Sequence, residues 1–253
     1  VNRPSKIHFA ASQADSAQEA LEDLAARYGQ APLVEADVIV ALGGDGMMLH
    51  CLHAGSGLPV YGMNRGSVGF MMNDYRVFDL PERLAAAEEA LINPLAMRAK
   101  TADGVIREEL AINEVSLLRA GPQAAKLRIS VNGRVRMEEL ISDGAIVSTP
   151  AGSTAYNYSA HGPILPIGSD VLALTAIAPF RPRRWQGAIL PSSATVRFDV
   201  LEAAKRPVMA DADSRSVKPV LWVEIRSEPT ITHRILFDPG HGLEERLMRE
   251  QFA

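Results

Sequence analysis

A single cysteine, Cys51, stands in a chain of 253 residues, which excludes an intramolecular disulfide. No charge-free apolar run is long enough to span a bilayer. A formal charge of -4 and a sequence pI near 5.9 leave no electrostatic reason for standing nucleic-acid or membrane binding. The opening Val1-Asn2-Arg3-Pro4 lacks a signal peptide's apolar stretch, although Val1 is not an initiator methionine and residues ahead of it are left open. Internal repeats and low-complexity segments are absent too. The expectation is a soluble protein of a reducing cytoplasm.

What is present is ordinary in bulk: 47% hydrophobic and 22% charged residues, in a chain long enough for one large domain or two modest ones. Two are favoured. The centre of the pattern is Asp37-Val38-Ile39-Val40-Ala41-Leu42-Gly43-Gly44-Asp45-Gly46, a β-branched run closed by glycines around a carboxylate. It reads as a buried parallel strand feeding a tight turn, with Asp45 at the strand's carboxyl end, where open α/β sheets place ligands. The glycines bring backbone N–H groups close to a ligand and suit an anionic one; a plain strand-to-helix turn is the alternative.

Around this stretch, Lys6–Ala10 and Pro59–Met63 read as further strands. Ser16 and Glu19 form a capping box before a helix ended by Gly29, and Met47–Leu52 opens a second helix. Asn64-Arg65-Gly66-Ser67-Val68-Gly69-Phe70 makes a second glycine-bearing loop directly after a strand. A third helix is capped by Asp79, with Pro81 in its first turn and Glu82 completing the box, and is stopped by Asn93-Pro94. From about residue 95 the period turns from helical to alternating. Leu127, Ile129 and Val131 lead into Asn132-Gly133, a hairpin signal, and Val135 and Met137 lead out. Two more alternating runs, Val196–Val200 and Leu221–Ile225, precede a last strand at Arg234–Phe237. Leu243, Leu247 and Met248 mark a short amphipathic helix. The predicted domains are therefore 1–94, α/β with a Rossmann-like parallel sheet; 95–232, mainly β; and 233–253, a segment packing back on the first.

Two polar stretches in the β region carry further chemistry. At Asn113-Glu114 a polar pair interrupts an apolar strand from Leu110 to Leu118, so one member faces inward or toward a ligand, unless the pair lies at a strand end in solvent. In Asp143-Gly144-Ala145-Ile146-Val147-Ser148-Thr149-Pro150-Ala151-Gly152-Ser153-Thr154-Ala155-Tyr156, a strand runs into small hydroxyl residues and a tyrosine. Hydroxyls and amides can bond the edge of a base or sugar, and Tyr156 can stack on a ring; the alternative is a Ser/Thr cap of a short helix. The cluster Arg181-Pro182-Arg183-Arg184 is a solvated turn or a meeting point for a phosphorylated ligand. His50 and His53 around Cys51 lack the remaining ligands of a closed zinc site, and Asn157-Tyr158-Ser159 is a glycosylation sequon without a secretory signal.

Gly43-Gly44-Asp45-Gly46, Asn64-Arg65-Gly66 with Gly69-Phe70, Asn113-Glu114, and Asp143-Gly144 with Ser148 to Tyr156 together resemble the NAD kinase family, in its order and spacing over nearly the whole chain. The resemblance implies an N-terminal α/β and a C-terminal β domain enclosing a dinucleotide. It also implies transfer of the ATP γ-phosphoryl group to the adenosine ribose 2'-hydroxyl of NAD, giving NADP. Asp45 would be the general base, with Gly43, Gly44 and Gly46 at phosphates. Asn113 and Glu114 would hold adenine and ribose groups, Asp143 the nicotinamide end, and Thr154, Ala155 and Tyr156 the adenine pocket, with Ser159 completing it. Asn64, Arg65, Ser148, Thr149 and Ser153 belong to the same ligand-binding blocks. With no Gly-x-x-x-x-Gly-Lys-Ser/Thr loop in the chain, ATP would be held by the glycine loops and Mg²⁺. No protein ligand of a metal, no nucleic acid and no membrane partner is implied; a homodimer or homotetramer is. Met47 stands where the family often has a small hydroxyl residue, and Ala178–Pro182 matches only loosely. Rival readings are a lipid kinase of the diacylglycerol type or 6-phosphofructokinase, which share the glycine-aspartate loop, and a non-catalytic dinucleotide sensor.

Overall fold

The computed structural model describes residues 6–55, 57–66, 69–242, 244–246, 248 and 252. Ser67 and Val68 of the second glycine loop, and Leu243 and Leu247 of the expected C-terminal helix, lie outside the described residues. The chain forms two compact units, Val1–Ile92 with Ile231–Ala253, and Asn93–Thr230.

The first unit begins β1 (Ile7–Ala11), α1 (Asp15–Tyr28), β2 (Val38–Gly43), α2 (Asp45–Ala54), β3 (Val60–Asn64), α3 (Leu80–Ala86) and β4 (Glu88–Ile92). The second unit runs β5 (Leu95–Thr101), β6 (Ile106–Ala111), β7 (Glu114–Arg119), β8 (Ala125–Val131), β9 (Arg134–Ser142), β10 (Gly144–Ser148), α4 (Tyr156–Ser159), β11 (Val171–Ile177), β12 (Gly187–Pro191), β13 (Val196–Val200), β14 (Val208–Ala212), β15 (Arg215–Val217) and β16 (Val220–Ser227). The chain then returns to the first unit as β17 (His233–Phe237).

The first unit's sheet has the order β1-β2-β3-β17-β4, parallel except for β4. Every residue of β2 is buried, as a strand covered on both faces requires. Val38, Val40 and Leu42 share a core with Ala17, Ala20 and Leu24 of α1 and Leu80 and Leu84 of α3. A Cβ added at Gly62 of β3 would fall 2.6 Å from the Met48 methyl of α2, so the absent side chain is what lets that helix sit close.

The second unit is a sandwich of two six-stranded sheets, β12-β11-β10-β7-β14-β15 and β6-β5-β16-β13-β8-β9. One core joins them, with Val115, Leu117, Val147 and Leu174 from the first sheet and Met97, Ile129, Phe198 and Val223 from the second. At the Asn132-Gly133 turn both residues have positive φ, 51° and 72°, as the hairpin signal demands.

Three local expectations are corrected. Ser16 is inside α1, not its cap; the cap position is Ala14, without a side-chain bond, and the Ser16 hydroxyl donates instead to the Arg65 carbonyl at 3.1 Å. Asp79 does occupy the cap position of α3 with Pro81 in the first turn, but no side-chain cap bond forms, and the helix stops at Ala86, well before Asn93-Pro94. After Ala87, the five residues Glu88–Ile92 are drawn out as β4 because β17 supplies a pairing edge. Leu110 to Leu118 is not one strand: Ala111 ends β6 in one sheet and Glu114 begins β7 in the other. Asn113 and Glu114 thus lie at a corner between sheets.

Candidate functional site

In the first unit the site forms where β2 gives way to α2. A Cβ at Gly43 would lie 2.9 Å from the Met47 Cβ and 3.2 Å from that of Ser12, so only glycine lets the helix start this near the strand. Asp45, half-buried, is the first residue of α2, and the Phe70 and Met71 amides donate to its Oδ2 and Oδ1, each at 2.8 Å. Burial raises the affinity of this carboxyl for a proton above the ordinary aspartate level, and the two amides and the Arg246 charge work against that rise. The result is a carboxylate with fixed orientation and enhanced basicity. Each of its oxygens retains lone-pair capacity for one more donor.

The loop after β3 is tied to the same place. The Arg65 amide donates to the Gly43 carbonyl at 2.8 Å, and the Gly66 amide to Asn64 Oδ1 at 2.9 Å. Arg65 Nε donates to the Ser16 carbonyl at 2.9 Å, and the guanidinium carbon lies 4.3 Å from the Tyr75 ring centroid. Arg65 therefore pins the loop to α1 rather than standing out as an isolated cation.

In the second unit the corner between β6 and β7 is built on Asp213. This residue, at φ 50° between β14 and β15, accepts from the amides of Ile112 at 2.8 Å, Asn113 at 2.9 Å and Glu114 at 3.4 Å. Above it lies the hydroxyl-rich turn. Thr149 Oγ1 donates toward the carbonyls of Ile112 at 2.8 Å and Asn113 at 3.2 Å, and it accepts from the Gly152 amide at 3.0 Å. A Cβ at Gly152 would come 2.2 Å from the Asn113 carbonyl oxygen, so a side chain is impossible there. The two polar blocks read from sequence are one packed structure.

Its consequences differ residue by residue. Ser148, Thr149 and Ser153 are buried; the Ser148 hydroxyl donates to the Thr149 carbonyl at 3.0 Å and that of Ser153 to the Pro150 carbonyl at 2.7 Å. They build the turn from inside. Thr154, Ala155 and Tyr156 are part-buried on its outer side, and Ser159 is exposed. Asn113 Oδ1 and Glu114 Oε2 are buried with no hydrogen-bond partner, a costly state that a ligand's donor or acceptor relieves. Burial, then the Asp213 carboxylate, pushes the Glu114 carboxyl up to about 8, so that it keeps its proton at neutral pH. Burial, with the carboxylates of Asp143, Glu114 and Asp211, also pushes the Tyr156 phenol upward. Asp143 sits at the far end of β10 from Ser148, half-exposed and paired with Arg119 Nε at 2.6 Å.

Other sequence signals find structural places. Asn157 is buried, with its amide bonded to Ser153, Pro163 and Thr175, which leaves no room for a glycan. Arg181 to Arg184 are exposed, and the guanidinium carbons of Arg181 and Arg183 each lie 5.6 Å from the Phe180 ring centroid. Burial raises the Cys51 thiol to about 12, an inert core group. Sequence reading passed over Asp213 and Arg246. Asp213 carries the weak signal of a turn-forming aspartate at a strand end; Arg246 carries none, since it acts on backbone carbonyls 176 and 177 residues away.

Residues 112–227 match the ATP-NAD kinase C-terminal domain. The NAD kinase of Cereibacter sphaeroides is 71% identical over 252 residues, covering 99% of each chain. Among solved structures, yeast NADH kinase complexed with NADH superposes with a TM-score of 0.85 at 19% identity, over 99% of this chain and 88% of that one. An NAD kinase from Archaeoglobus fulgidus in complex with ATP gives a TM-score of 0.75 at 22% identity, over 98% and 97%.

Proposed function

The chain belongs to the NAD kinase family, and from that premise we propose that it transfers the γ-phosphoryl group of ATP to the adenosine ribose 2'-hydroxyl of NAD, giving NADP and ADP, with Asp45 as general base. One observation carries the reading of the nucleotide site: Asn113 Oδ1 and Glu114 Oε2 are buried beside the hydroxyl-rich turn with no partner. Such groups are stable when a ligand pairs them, and an amide oxygen next to a protonated carboxyl offers an acceptor and a donor to adenine and ribose.

The proton chemistry follows from the first unit. A ribose hydroxyl is a poor nucleophile at neutral pH, so a carboxylate must accept its proton as the oxygen bonds to phosphorus. Asp45 is held for this by the Phe70 and Met71 amides. The remaining work is alignment and charge neutralisation, shared by the amides of Gly43, Gly44 and Gly46, by the Asn64 and Arg65 loop, and by Mg²⁺ entering on the ATP phosphates. In this proposal Thr154, Ala155, Tyr156 and Ser159 line the adenine side, the buried Ser148, Thr149 and Ser153 shape that lining, and Asp143 meets the nicotinamide end. In the same proposal the protein works in the cytoplasm as a homodimer or homotetramer.

The test is a coupled assay with NAD, ATP and Mg²⁺, its product detected by an NADP-specific dehydrogenase. NADP from the wild type and none from Asp45→Asn supports both reaction and base. NAD binding by calorimetry without product favours a dinucleotide sensor, and absence of both overturns the assignment.

A further inference from the structure

We infer that Arg246, near the end of the chain, is a positioning residue for Asp45, acting through the two peptide groups that hold the carboxylate. The inference rests on Asp45 as base. Arg246 Nη1 donates to the Phe70 carbonyl at 3.1 Å and to the Gly69 carbonyl at 3.4 Å. The Phe70 carbonyl shares a peptide group with the Met71 N–H that reaches Asp45 Oδ1, and the Gly69 carbonyl shares one with the Phe70 N–H that reaches Oδ2. A peptide group is planar, with its carbonyl and N–H directed oppositely. Fixing the oxygen of each therefore fixes the direction of the N–H at its other end.

Charge adds to geometry. A carbonyl bonded to a guanidinium is polarised, which makes the N–H of the same peptide a better donor. The arginine thus steadies the carboxylate at one peptide's remove. Arg246 is itself anchored: its Nε donates to the His241 carbonyl at 2.9 Å, and its guanidinium carbon lies 5.4 Å from the ring centroid of Phe237 in β17. Arg246 thereby becomes part of the machinery through backbone groups alone.

The experiment compares full-length wild type, Arg246→Ala, Arg246→Lys and Asp45→Asn in the coupled NADP assay, with pH profiles of kcat and thermal midpoints. Arg246→Ala is expected to lose about tenfold to hundredfold in kcat, with the KM for NAD within threefold, since misplacing a reacting group costs rate rather than affinity. Its acid limb of kcat should move to higher pH, because the carboxylate loses a nearby positive charge and the polarisation of its donors. Arg246→Lys, which keeps the charge but not the fork, should lie between. Wild-type kcat and an unmoved acid limb in Arg246→Ala overturn the inference. If that variant does not fold, Arg246→Lys decides by the same two readouts against wild type. Near-normal turnover in Asp45→Asn overturns the base assignment itself; an inactive Asp45→Asn beside an unaffected Arg246→Ala overturns only the role of Arg246.

Discussion

The two corners that carry this molecule's polar chemistry use one device in opposite ways. In the first unit the backbone amides of Phe70 and Met71 serve the carboxylate proposed as base, Asp45, directly. In the second, the amides of Ile112, Asn113 and Glu114 serve a supporting carboxylate, Asp213, and leave the Glu114 carboxyl to face burial and a neighbouring negative charge. Backbone donors oppose the upward pull of burial on Asp45, whereas Glu114 has burial and the Asp213 charge acting on it in the same direction. Where the amides point sets how far each carboxyl is driven toward its protonated form.

The contrast breaks most sharply at Asp45. Asp45→Asn should lower turnover by ~10²- to 10⁴-fold, the range of a general base, with NAD affinity by calorimetry within a few fold. Near-normal turnover would put the base elsewhere. Next in size is Asp213→Ala, which removes the acceptor of three amides and should cost roughly 3 kcal/mol of stability in denaturant, with a rise of about tenfold or more in the KM for NAD. Unchanged stability and KM would mean that the corner holds without it. Tyr156→Ala should weaken nucleotide binding by ~1 to 2 kcal/mol if the ring stacks on a base; unaltered affinity by calorimetry would leave Tyr156 as a packing residue of α4.

The smallest effect is the most diagnostic of the second corner. Glu114 is pushed up to about 8, so its proton stabilises the fold fully at acid pH, and that contribution fades as pH rises from the ordinary carboxyl range through about 8. Wild-type stability should decline over this window and the KM for NAD should climb a few fold above it. Glu114→Gln, permanently neutral, should flatten both and bind NAD within a few fold of wild type at pH 7. A Glu114→Gln profile that still follows the wild type would assign the titration to another group.

Much of this was legible from residues alone, for local reasons. An apolar run stopped by Gly-Gly-Asp-Gly has few structural solutions, and Asn132-Gly133 between alternating strands has essentially one. Asn113 and Glu114 drew notice because polar residues in an apolar stretch need a reason. What misled was equally local. Ser16 and Glu19 match a capping box, yet the helix starts earlier and the hydroxyl goes to Arg65. Glu88 to Ile92 reads as more helix, yet β17 from the far end of the chain offers an edge, and tertiary pairing overrides propensity.

By itself the sequence determined the βα order of the first unit, the β period of the second, and the residue types of both polar corners, because these rest on spacing and side-chain chemistry. Only the tertiary structure decided which carboxyl receives backbone amides, that Ser148, Thr149 and Ser153 turn inward, and that Arg246 reaches the loop holding Asp45. Those outcomes depend on donors and acceptors that are the same on nearly every residue. Folding alone gives them a direction.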